Sequence, residues 1–248
     1  MFISLCSYNI LAQAYIRYTK ANGILDTYCE LAARKNRLIG YFQTQLESET
    51  LVIGVQEVEP EVYADLCICF ANYQSIYTQR KSSVDGLALF FHPDIKVQSS
   101  EVVILHSRDG QPRRVAQIID IEYQGLDWRL VHLHLDYDPP GTTDGFHQMA
   151  TVLDHLSQMS DRMMLIFGDF NATVESATIQ ACLSKGFQAV DTRQPTSFHR
   201  QWSRVDHVLY SAECMVDTLK IPDPPDSIPN AVWGSDHLPI YCRFSLVR

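Results

Sequence analysis

Apolar side chains from Ile3 to Tyr8 alternate weakly and are rich in β-forming types, which predicts a first strand ending at Asn9. From Glu30 to Leu46 the apolar positions Leu31, Leu38, Ile39, Phe42 and Leu46 recur at helical spacing, predicting an amphipathic helix with Arg34, Lys35 and Arg37 turned to water. Leu51 to Val55 is a short unbroken apolar run, suited to a strand covered on both faces, and it delivers Gln56 and Glu57 to its carboxyl end. Further strands are predicted over Leu87–Phe91, Val102–Leu105, Val115–Tyr123, Trp128–Leu135, Met163–Phe167, Val205–Tyr210 and Ile240–Phe244, and helices over Gly145–Met159 and Val174–Lys185. Some strands follow one another directly while others are separated by helices. That pattern points to an α/β (α+β) architecture of sheets covered by helices, not to a strictly alternating parallel fold.

The 248 residues contain no Pro/Gly/Ser-rich linker, so a single domain over residues 1–248 with one sizeable core is expected. The run Asp223, Pro224, Pro225, Asp226 and Pro229 reads as a surface loop. No apolar stretch approaches the ~20 residues of a membrane span, and the first residues lack the charged and apolar segments of a secretory signal. A soluble, cytoplasmic, monomeric protein with no membrane partner is the expectation. The seven cysteines are an odd count without zinc-type spacing, which favours reduced and mostly buried thiols. Cys67 and Cys69, two apart on a predicted helix, point in different directions and do not share a metal. A net charge of -9 gives no broad basic footprint for long nucleic acid, and it suits a site that gathers carboxylates around a divalent cation.

Five strand ends present groups that bind metal or move protons: Asn9, Glu57, His132, Asp169 with Asn171, and Ser235-Asp236-His237. Singly these are weak signals, because an isolated Glu is a surface residue and an Asp/Asn pair after a strand is a turn. Their order along the chain is informative. Together with Asp206 it resembles the ordered motifs of the endonuclease/exonuclease/phosphatase superfamily. Ser7-Tyr8-Asn9-Ile10-Leu11-Ala12-Gln13, Gln56-Glu57-Val58-Glu59, Asp85-Gly86-Leu87-Ala88-Leu89-Phe90-Phe91 and Arg204-Val205-Asp206-His207-Val208-Leu209-Tyr210-Ser211 are similar to its deadenylase-like branch, which includes nocturnin, the Angel proteins and the 2′-phosphodiesterases. The resemblance implies a four-layer α/β/β/α sandwich of two mixed sheets, as in deoxyribonuclease I, and a Mg2+ cofactor for which Mn2+ can substitute. The chain has no leucine-rich repeat segment like that of eukaryotic deadenylases, so the resemblance does not extend to poly(A) specificity.

Phosphate esters repel nucleophiles, so hydrolysis needs positive charge on the phosphoryl oxygens, an activated water and help for the departing oxygen. Glu57, a carboxylate directly after a buried strand, is the expected principal Mg2+ ligand, with Asn9 assisting at the metal or its water. His237 is the expected general base, with Asp236 either orienting its imidazole or approaching the metal. Asp169 and Asn171, two apart, face one phosphate if strand geometry persists; the resemblance implies that Asp169 activates or orients water and that Asn171 binds phosphate. His132 is the expected phosphate-contacting histidine, with His134 the alternative on the same strand face. Asp206, a carboxylate in an apolar strand, needs a histidine, a metal or a donor network, and the resemblance makes it a catalytic residue.

Phe198, His199, Trp202 and Arg204 are expected at a stacking and phosphate-binding rim. The expected function is that of a 3′-5′ exoribonuclease or phosphodiesterase on short RNA such as oligoadenylate. Two alternatives stand beside it: a phosphatase on a nucleotide, dinucleotide or RNA-end phosphate, and a binding module without catalysis.

Overall fold

The computed structural model describes residues 2–81, 83–139, 141–160 and 162–247. In chain order the first half comprises β1 (Phe2–Asn9), the short helices α1 (Ile16–Lys20) and α2 (Asp26–Cys29), α3 (Leu31–Thr44), β2 (Val52–Val58), α4 (Pro60–Cys69), β3 (Gln74–Gln79), β4 (Gly86–Phe91) and β5 (Lys96–His106). The second half comprises β6 (Pro112–Tyr123), β7 (Leu126–His134), α5 (Asp144–Leu156), β8 (Met163–Asp169), α6 (Ala177–Ser184), β9 (Gln188–Ala189), β10 (Ser197–His199), β11 (Gln201–Ser203), β12 (Asp206–Tyr210), β13 (Cys214–Lys220) and β14 (Ile240–Leu246). Two six-stranded sheets result, ordered β13-β14-β1-β2-β4-β3 and β5-β6-β7-β8-β12-β9, with β10 and β11 forming a small separate hairpin. Each large sheet is mixed, since β1 pairs with β2 and β7 with β8 in parallel while the remaining pairs are antiparallel.

Alternation along each strand builds the four layers. Ile3, Leu5, Val52, Leu89 and Phe91 of the first sheet meet Ile119, Trp128, Leu130, Leu165, Phe167 and Val208 of the second. The outer face of the first sheet, with Tyr8, Ile53, Val55 and Phe90, is covered by Leu38, Tyr41 and Phe42 of α3 and by Val62 and Leu66 of α4. The outer face of the second, with Ala116, Ile118, Val131, Leu133 and Ile166, is covered by Met149, Val152 and Leu156 of α5 and by Ile179 and Cys182 of α6. This is the expected four-layer sandwich. Among the described residues no helix is long and apolar enough to cross a membrane, and all seven cysteines are free, five of them buried.

The inward-facing series turn polar at one end of the sandwich, and this positions the site. In β1 the series Ile3, Leu5, Ser7 arrives at Asn9; in β7 Trp128, Leu130, His132 arrives at His134; in β8 Leu165, Phe167 arrives at Asp169. Between the apolar layer and these end residues lies a closed polar layer. Gln56 Nε2 contacts Ser7 Oγ at 3.3 Å and His132 Nε2 at 2.6 Å, and His132 Nδ1 contacts Gln117 Oε1 at 2.9 Å.

Two glycines permit close packing beneath the site, Gly54 between the sheets and Gly168 within the second sheet. A methyl on Gly54 would overlap Phe167, whose ring stacks on His132 at 5.1 Å between centroids. Gly168 sits at φ 136°, and a methyl there would overlap the Leu133 carbonyl oxygen of the neighbouring strand. Gly168→Ala therefore combines backbone strain with a clash against main chain one residue before Asp169. The expected loss is ~3 kcal/mol or more of stability, read from the shift of the urea midpoint.

Candidate active site

Eight of the expected residues converge where the inner series end. Asn9 Nδ2 donates to Glu57 Oε1 at 3.1 Å and to Asp169 Oδ2 at 2.9 Å, tying the two sheets together across the mouth of the sandwich. His134 Nε2 lies 3.9 Å from Glu57 Oε1, 3.6 Å from Asp169 Oδ2 and 3.1 Å from Asn171 Nδ2. His237 Nε2 lies 3.8 Å from Asp169 Oδ2 and 3.9 Å from Asp236 Oδ1, while its Nδ1 meets Asp206 Oδ2 at 2.8 Å.

Local backbone irregularities aim these groups. Glu57 has φ 59°, and β2 shifts register against β4 between Gln56 and Val58. The extra residue lets Val58 return to the helix-covered face beside Val55 while Glu57 stays at the mouth. The left-handed conformation is held by Ala12 N–H, which donates to Glu57 Oε2 at 2.9 Å. Asn171 is also left-handed, at φ 49°, so strand geometry does not persist beyond Asp169. Both side chains nevertheless meet at His134, because Asn171 N–H donates to Asp169 Oδ1 at 2.8 Å and the amide Nδ2 donates to Leu135 O at 3.0 Å.

The structure separates the two histidines of β7. His132 lies a layer below the cluster, fully buried, with both ring nitrogens engaged by Gln56 and Gln117. Burial pushes its pKa down to about 3, so it is neutral, and no nitrogen is left for a phosphate. The expectation that His132 contacts phosphate is therefore corrected, and His134 takes the place at the cluster. His134 is neutral as well, its pKa lowered by burial and by the positive charges of Arg114 and Arg80.

Asp206 meets a histidine, as its cost in an apolar strand required. The orienting partner of His237 is thus Asp206, leaving Asp236 for the other role considered. Asp236 Oδ2 accepts from Thr19 Oγ1 at 3.2 Å, and its buried Oδ1 has no hydrogen-bond partner among the described residues. Glu57 is pushed above the usual carboxylate range by burial and by Asp236. Asp169 is raised to about 7 by burial and by Asp206, against the opposing pull of His237. Burial alone would lower His237, but Asp206, Asp169 and Asp236 together hold it well above its ordinary value.

These shifts describe a site carrying more negative charge than its own donors balance. Ligand atoms of Glu57, His134 and Asp169 lie within 4.8 Å of one another, as do those of Asp169, Asp206 and His237. The oxygen-rich set and the orphaned Asp236 oxygen fit a hard divalent cation that keeps several waters, as Mg2+ does. Without such a cation the raised groups make stability depend on pH. Asp169 contributes stability fully present below about pH 4 and lost as pH rises to about 7, and His237 extends the loss upward from about 6.5, because the folded state holds the protons more tightly. Thermal unfolding in EDTA is expected to shift to lower temperature across that window, and saturating Mg2+ is expected to flatten the trend.

The expected rim is only partly found. Phe198 and Trp202 pack on each other at 5.3 Å and on the α3–α4 core, and Trp202 Nε1 donates to Pro225 O at 3.1 Å, so they serve packing. His199 Nδ1 meets Asn22 Nδ2 at 3.2 Å. Arg204 lines a cavity of about 160 Å³ with Val174, Asp191, Thr192 and His207. Arg80 and Arg114, at strand ends, pair with Asp85 and Asp136, while Arg108 and Arg113 line a groove of about 470 Å³ at the β5–β6 turn.

Three participants carried no sequence signal. Thr19 and Ser197, whose Oγ lies 3.3 Å from His237 Nε2, are ordinary hydroxyl residues in loop-like sequence. Arg34 occupies a polar position of an amphipathic helix, but it is 1% exposed, which corrects the expectation that it faces water.

Comparison with known proteins agrees with this geometry. The sequence profile of the Endonuclease/Exonuclease/phosphatase family matches residues 6–237. A search of curated proteins returns no match. Among solved structures, ANGEL2, described as a 2′,3′-cyclic phosphatase in complex with adenosine-2′,3′-vanadate, superposes with a TM-score of 0.87 at 17% identity over 99% of this chain and 96% of its own. The human Nocturnin catalytic domain with bound sulfate gives 0.76 at 20% identity over 99% and 94%. A Bacteroides thetaiotaomicron mannosyl-6-phosphatase gives 0.76 at 18% identity over 99% and 100%. At such identities the likeness of these structures is one of fold, whereas the profile match spans nearly the whole chain: this protein belongs to the endonuclease/exonuclease/phosphatase family of phosphoester hydrolases.

Proposed function

We propose that this chain hydrolyses a phosphate ester of short RNA or a nucleotide with the aid of a divalent cation, Mg2+ by preference, and that its first reaction is 3′-5′ exonucleolytic or phosphodiester cleavage. The observation that carries this reading is the meeting of Asn9, Glu57, His134, Asp169, Asn171, Asp236 and His237 at one mouth. Glu57 and Asp236 would hold the cation, with Asn9 beside them. When bound, the cation supplies positive charge to the phosphoryl oxygens and the departing oxygen.

The remaining work falls to the chain's own groups. Asp169, with a carboxyl near neutral titration and a hydrogen bond from Asn9, is placed to orient the attacking water and accept its proton. His237, oriented by Asp206 and raised well above its ordinary value by its carboxylate neighbours, is placed as a donor to a phosphoryl oxygen. Asn171 and neutral His134 complete the phosphate cradle from the opposite sheet.

A second reading, a phosphatase on a nucleotide or RNA-end phosphate, draws on the net charge of -9, which disfavours long polyanions. Its substrate class is also that of ANGEL2, described as a 2′,3′-cyclic phosphatase. Purified protein with Mg2+ would be incubated with end-labelled oligoadenylate, an oligonucleotide ending in a 2′,3′-cyclic phosphate, and a phosphorylated dinucleotide. Shortened oligoadenylate supports the first reading, and loss of a terminal phosphate at constant length supports the second. Turnover of none of the three above a Glu57→Ala control would leave the binding-module alternative and overturn both.

A further inference from the structure

Arg34 is a buried guanidinium that, among the described residues, makes no ion pair with a carboxylate. Nε donates to Gly234 O at 2.7 Å, one terminal nitrogen donates to Gln13 Oε1 at 2.7 Å, and the other donates to Ile10 O at 2.8 Å and to Leu11 O. Its four acceptors belong to two segments far apart in sequence. One follows Asn9 and carries Ala12, whose N–H holds Glu57; the other precedes Ser235, Asp236 and His237.

The segments are under local constraint where Arg34 grips them. Leu11 is left-handed at φ 57°, a conformation that a leucine adopts only when its surroundings enforce it. Gly234 is pressed so closely on α3 that a methyl would come within 2.7 Å of Arg34 O. Ser235 Oγ closes the seam by donating to Asn9 O at 2.7 Å. The fork geometry is specific to arginine, because an ammonium group is a compact donor that cannot span acceptors on opposite sides of a seam.

We propose that Arg34 is a positioning residue that fixes Glu57 and Asp236 relative to each other as one cation site, by clamping the 10–13 segment to residue 234. The inference rests on the reading of Glu57 and Asp236 as the cation's ligands. It assigns the effect to the shape of the guanidinium and not to its charge. Removing positive charge beside two carboxylates would by itself tighten cation binding, whereas releasing the clamp weakens it.

The test uses Arg34→Lys and Arg34→Met, with Mn2+ affinity of the metal-free protein measured by electron paramagnetic resonance and folding checked by circular dichroism. Both variants are expected to bind Mn2+ about 10- to 100-fold more weakly and to lose kcat in similar proportion, with KM changed far less. A folded Lys variant with parental affinity and kcat, or a folded Met variant that binds more tightly, would overturn the proposal. Should neither variant fold, Gln13→Ala removes one acceptor at a half-buried position, and a loss of roughly threefold in affinity is expected; parental affinity there would equally overturn it. If the parent binds Mn2+ no better than Glu57→Ala does, the cation-site reading itself fails, a result distinct from failure of the clamp.

Discussion

Glu57→Ala is expected to lower Mg2+-dependent turnover by ~10² or more while leaving the fold intact. The side chain lies at the end of an apolar strand, and its carboxylate is held by Ala12 N–H and Asn9 Nδ2, with the neutral His134 ring 3.9 Å away. Burial and Asp236 already push its pKa up, so in the cation-free fold the charged form is unfavourable. Activity and stability should therefore part company. Glu57→Gln keeps an acceptor for Ala12 and removes the charge, and it is expected to raise the melting temperature in EDTA while abolishing the rise that Mg2+ produces in the parent. Thermal melts of both proteins, with and without Mg2+, check this. An unchanged Mg2+ response in the variant would remove Glu57 from the cation site.

His237→Ala is expected to cost ~10² or more in kcat, with the larger part of the loss in the chemical step and not in substrate binding. The imidazole is fixed by Asp206 at 2.8 Å and faces Asp169 at 3.8 Å, so it brings a donor to the mouth beside Asp169. Asp169→Ala should produce a loss of similar size through a different route, by removing the acceptor for the water's proton. Because the two act on one transition state, the double variant should lose much less than the product of the single losses. Steady-state kinetics on the best of the three proposed substrates decides this. Near-parental turnover in all three of Glu57→Ala, Asp169→Ala and His237→Ala would show that the roles are wrongly assigned.

Much of this site was legible before the fold was known, for a physical reason. Residues that end inward-facing apolar series are forced to the mouth of the sandwich, as Asn9 and Asp169 are, while Glu57 follows a buried apolar run and reaches the mouth through the register shift of β2. What escaped was depth. His132 and His134 occupy the same face of β7, and only the position of the opposing Gln56 and Gln117 shows that the first is sealed in the polar layer below. Asp206 and Asp236 offered the same difficulty, because which carboxylate reaches His237 Nδ1 depends on a contact across 31 residues of chain.

Strand prediction failed at the sheet edges. β3 and β13 are edge strands with half-exposed faces, so their apolar alternation is weak, and β5 extends well beyond the predicted Val102–Leu105 because one side of it faces solvent. Arg34 shows the converse limit. Periodicity assigns an arginine on an amphipathic helix to water, yet here the acceptors of two loops surround it, and only tertiary structure supplies those acceptors.

The account stands or falls on a cation held through Glu57 at the meeting point of the two sheets. Anomalous diffraction from crystals soaked in Mn2+ tests it most directly. The strongest peak should lie within about 2.2 Å of a Glu57 carboxylate oxygen, on the side facing Asp236 and His134. A mouth without a peak, with Mn2+ found only on surface carboxylates, would contradict it.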